Sequence, residues 1–404
     1  MKGFLFFIHN LDNYFKGDLF MINESNLLRI PGPTPIPPSI QRAMSQPMIG
    51  HRGGEAKEMM QRIKPELKKV FGTKQDVMIL TGSGTSALET AVVNVAKAGD
   101  EVLVLVSGSF GDRFAKICET YNMKTHRLEV EWGDEIIVED VANFLKENRN
   151  VKAVFMTQCE TSTGIMNPIE EISKAVQDNS DALTIVDGVS CVGGVVTEMD
   201  AWGVDVFVTG SQKAMMLPAG LAFVAVSDRA WKVIDENENA RFYLDLRRYR
   251  DNLDKDTTPF TPAISLIFGL EQSLNLMKEE GLENVYARHT LMKNMTRAAM
   301  KALNVPLLTE DDVASATVTA VKPETFDAEE LRKSVKSKFG LTLAGGQQHL
   351  SGKIFRIGHM GFCTPADVLQ IISILEIGLS DIGADVQLGA GVKAAQEVFL
   401  EQNN

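Results

Sequence analysis

The stretch Val204-Asp205-Val206-Phe207-Val208-Thr209-Gly210-Ser211-Gln212-Lys213 decides how this chain folds. Its β-branched run predicts a buried strand, and the small residues that follow predict a tight turn. A single lysine then stands at the mouth of that strand. A second apolar run, Leu183-Thr184-Ile185-Val186, stops on Asp187. Two neighbouring strand ends therefore offer an amine and a carboxylate to one crevice.

Strand-like runs alternate with helical patterns from about residue 76 to residue 227. Seven apolar runs predict strands, at 77–81, 101–107, 125–130, 151–157, 182–187, 204–209 and 221–227. Helical patterns lie between most of them, at 85–97, 112–121, 138–148 and 169–177. This alternation is typical of an α/β domain in which helices cover both faces of a mostly parallel, seven-stranded sheet.

The alternation ends after Pro262. Two long helical patterns, at 263–278 and 282–303, precede a shorter α+β block that runs to the end of the chain. We therefore predict an N-terminal extension at 1–27, a large cofactor-binding domain at 28–290 and a small C-terminal domain at 291–404. Five prolines within residues 29–38 predict an extended path there. Residues 1–20 imitate a signal peptide, but polar residues interrupt the apolar run, so we interpret them as an extension or a misassigned start.

Composition excludes several classes of partner. The 404 residues carry a net charge of −12, which would repel nucleic acid and anionic lipid. No apolar run reaches the roughly 18 residues of a membrane span. The four cysteines show no metal-ligand spacing and suit a reducing cytosol, and the six histidines show no metal-binding pairs. We expect a cytoplasmic protein without a metal site.

Small and polar residues follow other predicted strands. Ser83 and Thr85 lie in a glycine-rich turn that opens a helix, where free amides and hydroxyls suit a phosphate, although an ordinary helix cap explains them as well. Phe110 could stack on a flat ring or belong to the core. The Thr161 hydroxyl could bind a phenolic oxygen or the local backbone.

These residues lie at successive carboxyl ends of strands, where open α/β sheets bind ligands. Pyridoxal 5′-phosphate (PLP) requires a lysine for its aldehyde and an acid for its ring nitrogen, which Lys213 and Asp187 would supply. Lys213 could equally be a solvated loop lysine, and Asp187 could pair with a backbone amide or an arginine. Arg356 has the planar fork that suits a substrate carboxylate, and a surface ion pair is the competing interpretation.

Taken together, these motifs resemble the class V aminotransferases, and most closely the alanine–glyoxylate / serine–pyruvate branch, over about residues 28–380. The motifs that carry the resemblance are Pro31-Gly32-Pro33-Thr34, Gly82-Ser83-Gly84-Thr85, Glu160-Thr161-Ser162-Thr163-Gly164, Val186-Asp187, Gly210-Ser211-Gln212-Lys213 and Phe355-Arg356-Ile357-Gly358. The resemblance implies the architecture of a fold-type I PLP-dependent transferase. It also implies PLP as cofactor and a homodimer with shared active sites.

The resemblance further implies a role for each matching residue. Lys213 would bind the aldehyde and Asp187 would pair the ring nitrogen. The ring and its phenolic oxygen would contact Phe110, Thr161 and Val189. The phosphate would bind Ser83, Gly84, Thr85 and Gln212, with Thr261 and, more weakly, Thr258 reaching from the other subunit. The substrate carboxylate would bind Gly32 and Arg356. Phe110 departs from the tryptophan that is common at this position in the family.

The function implied is transfer of an amino group from alanine or serine to glyoxylate or pyruvate by a ping-pong mechanism. A ureidoglycine–glyoxylate or aspartate-type aminotransferase remains an alternative, and His51-Arg52 could bind a second carboxylate. A PLP lyase of the cysteine-desulfurase type would need a nucleophilic cysteine, for which Cys363 is the candidate. A PLP-fold regulator would usually carry an appended DNA-binding helix-turn-helix, and the sequence shows no basic helical segment for one.

Overall fold

The structure of the protein is a computed structural model that describes residues 26–402. The predicted extension at 1–27 therefore lies outside the described residues except at its last two positions.

The strands are β1 (Leu27–Leu28), β2 (Val77–Gly82), β3 (Glu101–Val106), β4 (Lys124–Glu129), β5 (Val151–Thr157), β6 (Cys159–Glu160), β7 (Ile165–Met166), β8 (Leu183–Asp187), β9 (Val206–Gly210), β10 (Gly220–Val226), β11 (Val318–Val321), β12 (Leu341–Thr342), β13 (Ala344–Gly345) and β14 (Phe355–Gly358). The α-helices are α1 (Pro38–Met44), α2 (Gly54–Phe71), α3 (Gly84–Val95), α4 (Ser109–Thr120), α5 (Val138–Glu147), α6 (Ile169–Asn179), α7 (Asp228–Glu236), α8 (Leu246–Leu253), α9 (Ile264–Glu280), α10 (Leu282–Ala302), α11 (Ala328–Phe339), α12 (Pro365–Asp381) and α13 (Ala390–Gln402).

A seven-stranded sheet forms the centre of the molecule, in the order β2-β10-β9-β8-β5-β3-β4. Only β10 runs antiparallel to its neighbours, so the prediction of a mostly parallel α/β sheet is confirmed. Every residue of β8 and β9 is buried, which shows that helices cover both faces there. The edge strand β4 is polar and partly exposed, as edge strands often are.

Local sequence signals explain where several helices begin and end. Helix α12 starts with a capping box, in which Thr364 and Asp367 exchange side chain–backbone hydrogen bonds, and Pro365 occupies its first turn. Helix α2 ends at Gly72, whose φ of 59° closes the last turn in the left-handed region. Helix α3 packs on β9 and β10, and α4 packs on β3 and β5. The first residues of α3 and α4 therefore lie at the carboxyl edge of the sheet.

Of the hydrophobic clusters in the described residues, the two largest divide most of the chain between them. The first surrounds the large sheet and includes α9, and the second begins at Met292 within α10 and includes α11 and α12. The second core packs against a three-stranded antiparallel sheet in the order β11-β14-β13. The change of core lies close to the boundary predicted near residue 290, although the exact limits of the two domains stay a prediction.

The segment from Leu27 to Thr34 connects both parts of the molecule. Strand β1 pairs in parallel with β12, and the Gly358 amide donates to the Arg29 carbonyl at 2.8 Å. Beyond β1 the chain bends at residues 30–33, where the Gly32–Pro33 peptide bond is cis, and Pro38 opens α1. The extended path predicted for residues 29–38 is therefore wrong at the bend and at Pro38, because proline fits the first turn of a helix. Within residues 26–402, no helix is long and apolar enough to cross a membrane.

Candidate active site

Lys213 and Asp187 meet at the carboxyl edge of the large sheet. Asp187 is the last residue of β8, in register with Thr157 at the end of β5 and with Val208 near the end of β9. Lys213 follows β9 by three positions. Both side chains are buried, and each shifts the pKa of the other by its charge. The structure therefore brings the predicted amine and carboxylate into one crevice.

The segment that precedes α1 holds the Lys213 side chain. The Lys213 amine donates to the Pro31 carbonyl, and the Thr34 hydroxyl donates to the Lys213 carbonyl at 3.0 Å. A Cβ on Gly32 would lie 2.4 Å from the lysine Cδ, so the lysine needs a glycine there. The pKa of Lys213 is lowered to about 8, chiefly by burial; the positive charges of Arg356 and Arg113 contribute to this lowering, and the charge of Asp187 opposes it. A solvated loop lysine is thereby excluded.

Asp187 is buried and accepts one hydrogen bond, from the Val189 amide at 2.8 Å. Burial raises its pKa to about 7; the negative charge of Glu160 adds to this rise, whereas the Val189 amide and the positive charge of Lys213 oppose it. The backbone-amide partner considered for Asp187 is thus present. A cationic ring nitrogen beside this carboxyl would favour its ionised form.

The first turn of α3 is open toward the same crevice. Ser83 precedes the helix without capping it by its side chain, and Ser83 and Thr85 are exposed. A Cβ on Gly84 would lie 2.9 Å from a methyl group of Val189, and one on Gly210 would lie 3.0 Å from the Gly84 Cα. The missing side chains let the helix start approach the ends of β8 and β9. Its first amides suit an anion.

The first turn of α4, by contrast, is closed by the protein itself. One carboxylate oxygen of Glu160 accepts from the amides of Phe110 and Gly111, at 2.9 and 3.0 Å. The Ser162 hydroxyl accepts from the Ser109 amide at 2.9 Å. The Phe110 ring is partly exposed, which leaves it able to contact a planar ligand.

Arg113 reaches the space between these two helix starts. Its guanidinium carbon lies 4.7 Å from the centre of the Phe110 ring, and one of its nitrogens lies 3.4 Å from the Thr85 hydroxyl. Its positive charge lowers the pKa of both Lys213 and Asp187. Among the residues that the structure describes, Arg113 has no carboxylate in ion-pair contact. It is therefore a cation available to an anionic ligand.

Two other predicted residues, Thr161 and Gln212, differ in their hydrogen bonding. The Thr161 hydroxyl shares a hydrogen bond with the Ser190 hydroxyl, beside the turn that follows Asp187. The Gln212 side-chain oxygen and the Thr157 hydroxyl are buried and have no hydrogen-bond partner within the described chain. Buried polar atoms without partners are rare, and a ligand in the crevice would provide such partners.

Arg356 projects from β14 toward the turn that follows β6. Its guanidinium donates to the Gly345 carbonyl at 3.0 and 2.8 Å and to the Thr161 carbonyl at 2.8 Å. The side chain is buried, and within residues 26–402 it forms no ion pair, so the surface ion pair is excluded. Burial lowers the pKa of Arg356, and the negative charge of Glu160 opposes this effect, so that the resulting pKa is about 10.

Within residues 26–402, no hydrogen bond or ion pair joins Thr258, Thr261 or His51 to Lys213. The Thr258 hydroxyl is buried and donates to the Phe260 carbonyl at 2.7 Å, whereas Thr261 is exposed. The Ala263 amide donates to the Thr81 hydroxyl at 3.1 Å, which places this loop beside the end of β2. His51 is partly buried, and its position at the mouth of the site stays a prediction.

Cys363 does not provide a nucleophile at this site. Its thiol is buried, and burial raises its pKa to about 11, which disfavours the reactive thiolate. It belongs to the second core and lines a separate cavity of about 770 Å³ with Met216 and Arg288. The lyase interpretation therefore loses its candidate residue.

Together these residues fit PLP. They provide a buried amine of lowered pKa, a carboxyl at a strand end, an open helix start for the phosphate and a partly exposed aromatic ring. Sequence reasoning assigned no role to Glu160, Arg113 or Ser190. Arg113 could have been found from its place one turn after Phe110, because residues three apart share a helix face. No sequence signal marks the pairing of Ser190 with Thr161.

Comparison with known proteins identifies the family. The family model described as aminotransferase class-V matches residues 37–365. A protein named soluble hydrogenase, small subunit, from Synechococcus sp. is 43% identical over 94% of this chain and 99% of its own length. A serine–glyoxylate aminotransferase from Hyphomicrobium methylovorum is 37% identical over 92% of this chain and 94% of its own.

A solved structure agrees with the sequence comparisons. The ureidoglycine–glyoxylate aminotransferase of Bacillus subtilis superposes with a TM-score of 0.88 and 30% identity, over 94% of this chain and all of that one. Its fold is that of the fold-type I PLP-dependent transferases, so the predicted architecture is confirmed. Class V enzymes use PLP as their cofactor. The chain described here belongs to the class V aminotransferases.

Proposed function

We propose that this protein transfers an amino group from a small amino acid, alanine or serine, to a small 2-oxo acid, glyoxylate or pyruvate. The observation that carries the proposal is Arg356, a buried guanidinium without an acidic partner in the described chain, near Lys213. A carboxylate is the group that completes such a site. A single cation of this kind suits a substrate with one carboxylate. Serine is also a substrate of a named relative.

Each residue would have a distinct task in the reaction. When bound, PLP would supply the aldehyde and the electron-withdrawing ring. Lys213 would hold the cofactor covalently at rest and would then take the proton from the substrate Cα at its Nζ. A lowered pKa suits this task, because part of the amine is neutral near pH 8. Asp187 would hold a proton on the ring nitrogen, and Arg356 would orient the substrate through its carboxylate.

Arg356 would act as a carboxylate clamp for the amino donor and for the oxo-acid acceptor in turn, since both carry a carboxylate beside the reacting carbon. Two substrates that use one site successively give ping-pong kinetics. The proposal predicts parallel lines in double-reciprocal plots at several fixed acceptor concentrations. Intersecting lines would contradict this order of binding.

Substrate choice is tested most directly with the PLP-loaded protein. Single amino acids should each be added, and loss of the visible cofactor band should be followed. Alanine and serine should bleach the band faster than aspartate does. Fastest bleaching by aspartate would favour the aspartate-type alternative, and activity only with ureidoglycine would favour the function named for the Bacillus subtilis structure. Release of sulfide from cysteine would favour a lyase.

We also propose a cytoplasmic homodimer with shared sites. Phe242 and Tyr243 are 65% and 39% exposed, and Tyr243 stacks on Phe260 with 4.9 Å between ring centres. Exposed aromatic clusters of this kind favour a protein interface. The Tyr243 hydroxyl donates to the Thr81 carbonyl at 3.0 Å, so this surface adjoins the end of β2 and the loop of Thr258 and Thr261. Light scattering of the wild type and of Phe242→Asp would test the dimer, which the substitution should weaken.

A further inference from the structure

The turn between β6 and β7 contacts three parts of the candidate site. Glu160 binds the start of α4, which carries Phe110. The Thr161 carbonyl accepts from Arg356, and the Thr161 hydroxyl bonds Ser190 in the turn after Asp187. This short turn thus contacts the helix start that carries Phe110, the guanidinium of Arg356 and the turn that follows Asp187.

Glu160 holds this turn in place. Its side chain is completely buried. One oxygen accepts from the amides of Phe110 and Gly111, and the other accepts from the Ser162 amide at 3.0 Å and the Ser162 hydroxyl at 2.5 Å. A carboxylate can accept about four hydrogen bonds, and Glu160 accepts four. A glutamine side chain could not accept all four, because its nitrogen only donates.

The surroundings of Glu160 are shaped to admit it. A Cβ on Gly108 would lie 2.4 Å from the Glu160 Cγ and 2.5 Å from the Ser162 hydroxyl oxygen. Any other residue at 108 would therefore displace the glutamate from the start of α4. Gly108, which precedes α4, therefore leaves the space that the Glu160 side chain occupies.

The charge of Glu160 reaches the clamp as well. Burial raises the pKa of the Glu160 carboxyl, and its four donors oppose that rise by favouring the carboxylate. As an anion, Glu160 raises the pKa of Arg356 and so helps this buried guanidinium to stay charged.

We infer that Glu160 is a positioning residue, which sets the orientation of Arg356 and of the Phe110 ring through the 160–162 turn without touching the substrate. This inference rests on the proposed carboxylate clamp. It assigns a task to a residue that lies behind the site, and it explains why a fully buried acid occupies the turn. Its effect on substrate binding should therefore depend on Arg356.

A double-mutant cycle tests this dependence. Binding of pyruvate to the PLP-loaded protein should be measured by calorimetry for the wild type, Glu160→Gln, Arg356→Lys and the double variant. We expect Glu160→Gln to raise the Kd for pyruvate about tenfold when position 356 is arginine, and less than twofold when position 356 is lysine. Equal factors in both backgrounds would overturn the inference.

A matched control separates positioning from loss of stability. Asp205 is also a buried carboxylate; it accepts from the Thr184 amide, Ser227 and Arg229, and it lies at the opposite end of the strands. Asp205→Asn should lower the melting temperature but leave the pyruvate Kd and the visible circular dichroism of the cofactor unchanged. Glu160→Gln should change both, and a Kd equal to that of the control would overturn the inference.

Three further cases are distinguishable. If Glu160→Gln does not fold, Ser162→Ala is the substitute, because it removes the hydrogen bonds of the Ser162 hydroxyl to Glu160 and to the Ser109 amide. It should raise the pyruvate Kd about threefold when position 356 is arginine and leave it unchanged when position 356 is lysine. An unchanged Kd with arginine at position 356 would overturn the inference. If the coupling is present but the wild type transfers no amino group, the positioning inference holds and the proposed function fails. If the wild type binds neither pyruvate nor glyoxylate, both fail.

Discussion

Substitution of Arg356 by alanine should raise the KM for the amino donor by a factor that the structure bounds. The guanidinium carries five N–H groups, and three already donate to Gly345 and Thr161, which leaves two for a substrate carboxylate. A hydrogen bond to a charged group contributes about 1.5–3 kcal/mol, so two of them contribute at least about 3 kcal/mol. Since about 1.4 kcal/mol corresponds to a tenfold change, KM should rise roughly a hundredfold or more.

The assay is steady-state transamination with alanine or serine at saturating 2-oxo acid. Arg332→Ala is the matched control, because Arg332 also donates to a backbone carbonyl, that of Leu343, but pairs with Glu329. The control should leave KM within about twofold of wild type, whereas Arg356→Lys should fall between alanine and wild type because it keeps charge without the fork. A KM for Arg356→Ala within about threefold of wild type, in a folded protein, would refute the clamp.

Three further predictions follow from the site and its support. Lys213→Ala should abolish turnover and the covalent trapping of PLP by borohydride, as peptide mass spectrometry would show; trapping that persists would move the covalent bond to another lysine. Arg113→Gln should weaken binding of PLP more than binding of pyridoxal, which lacks the phosphate, because the guanidinium lies beside Thr85 at the open helix start; equal losses would remove Arg113 from the phosphate site. His289 and His359 are buried, and burial lowers their pKa values to about 3 and 4. In the unfolded chain a histidine has a pKa of about 6.5. The stability that the neutral histidines provide is therefore complete above about pH 6.5 and falls as the pH decreases toward the folded-state values. Urea unfolding of the wild type should therefore lose several kcal/mol between about pH 7 and pH 5, and His289→Gln should lose less; equal losses would assign the acid sensitivity to other groups.

The sequence predicts the large sheet well because its strands are uniformly apolar and punctuated by turns. All seven predicted strands are present, and the limits of β5 are those predicted. Helix α2 is not among the predicted helices, although Met59, Ile63 and Leu67 give it an apolar stripe. Its many charges and the internal Pro65 obscure that stripe.

The candidate site was predictable only where it depends on strand ends. Lys213 and Asp187 lie together because the carboxyl ends of parallel strands share one edge. The task of Glu160 was not predictable, since it requires knowing that the turn after β6 folds back onto the start of α4. Likewise, the support of Arg356 by the Gly345 carbonyl depends on the pairing of β13 with β14.

The contacts of the segment before α1 have a consequence for folding. Arg29 pairs with Asp367, 338 positions further along the chain, and the Pro31 carbonyl accepts from Lys213, 182 positions away. Contacts of such long sequence separation form late, because loop closure must precede them. During synthesis on the ribosome, this early segment must wait until nearly the whole polypeptide has emerged. A nascent chain that stalls before Asp367 would therefore leave Arg29 without its carboxylate partner, at the stage when chaperones protect incomplete proteins.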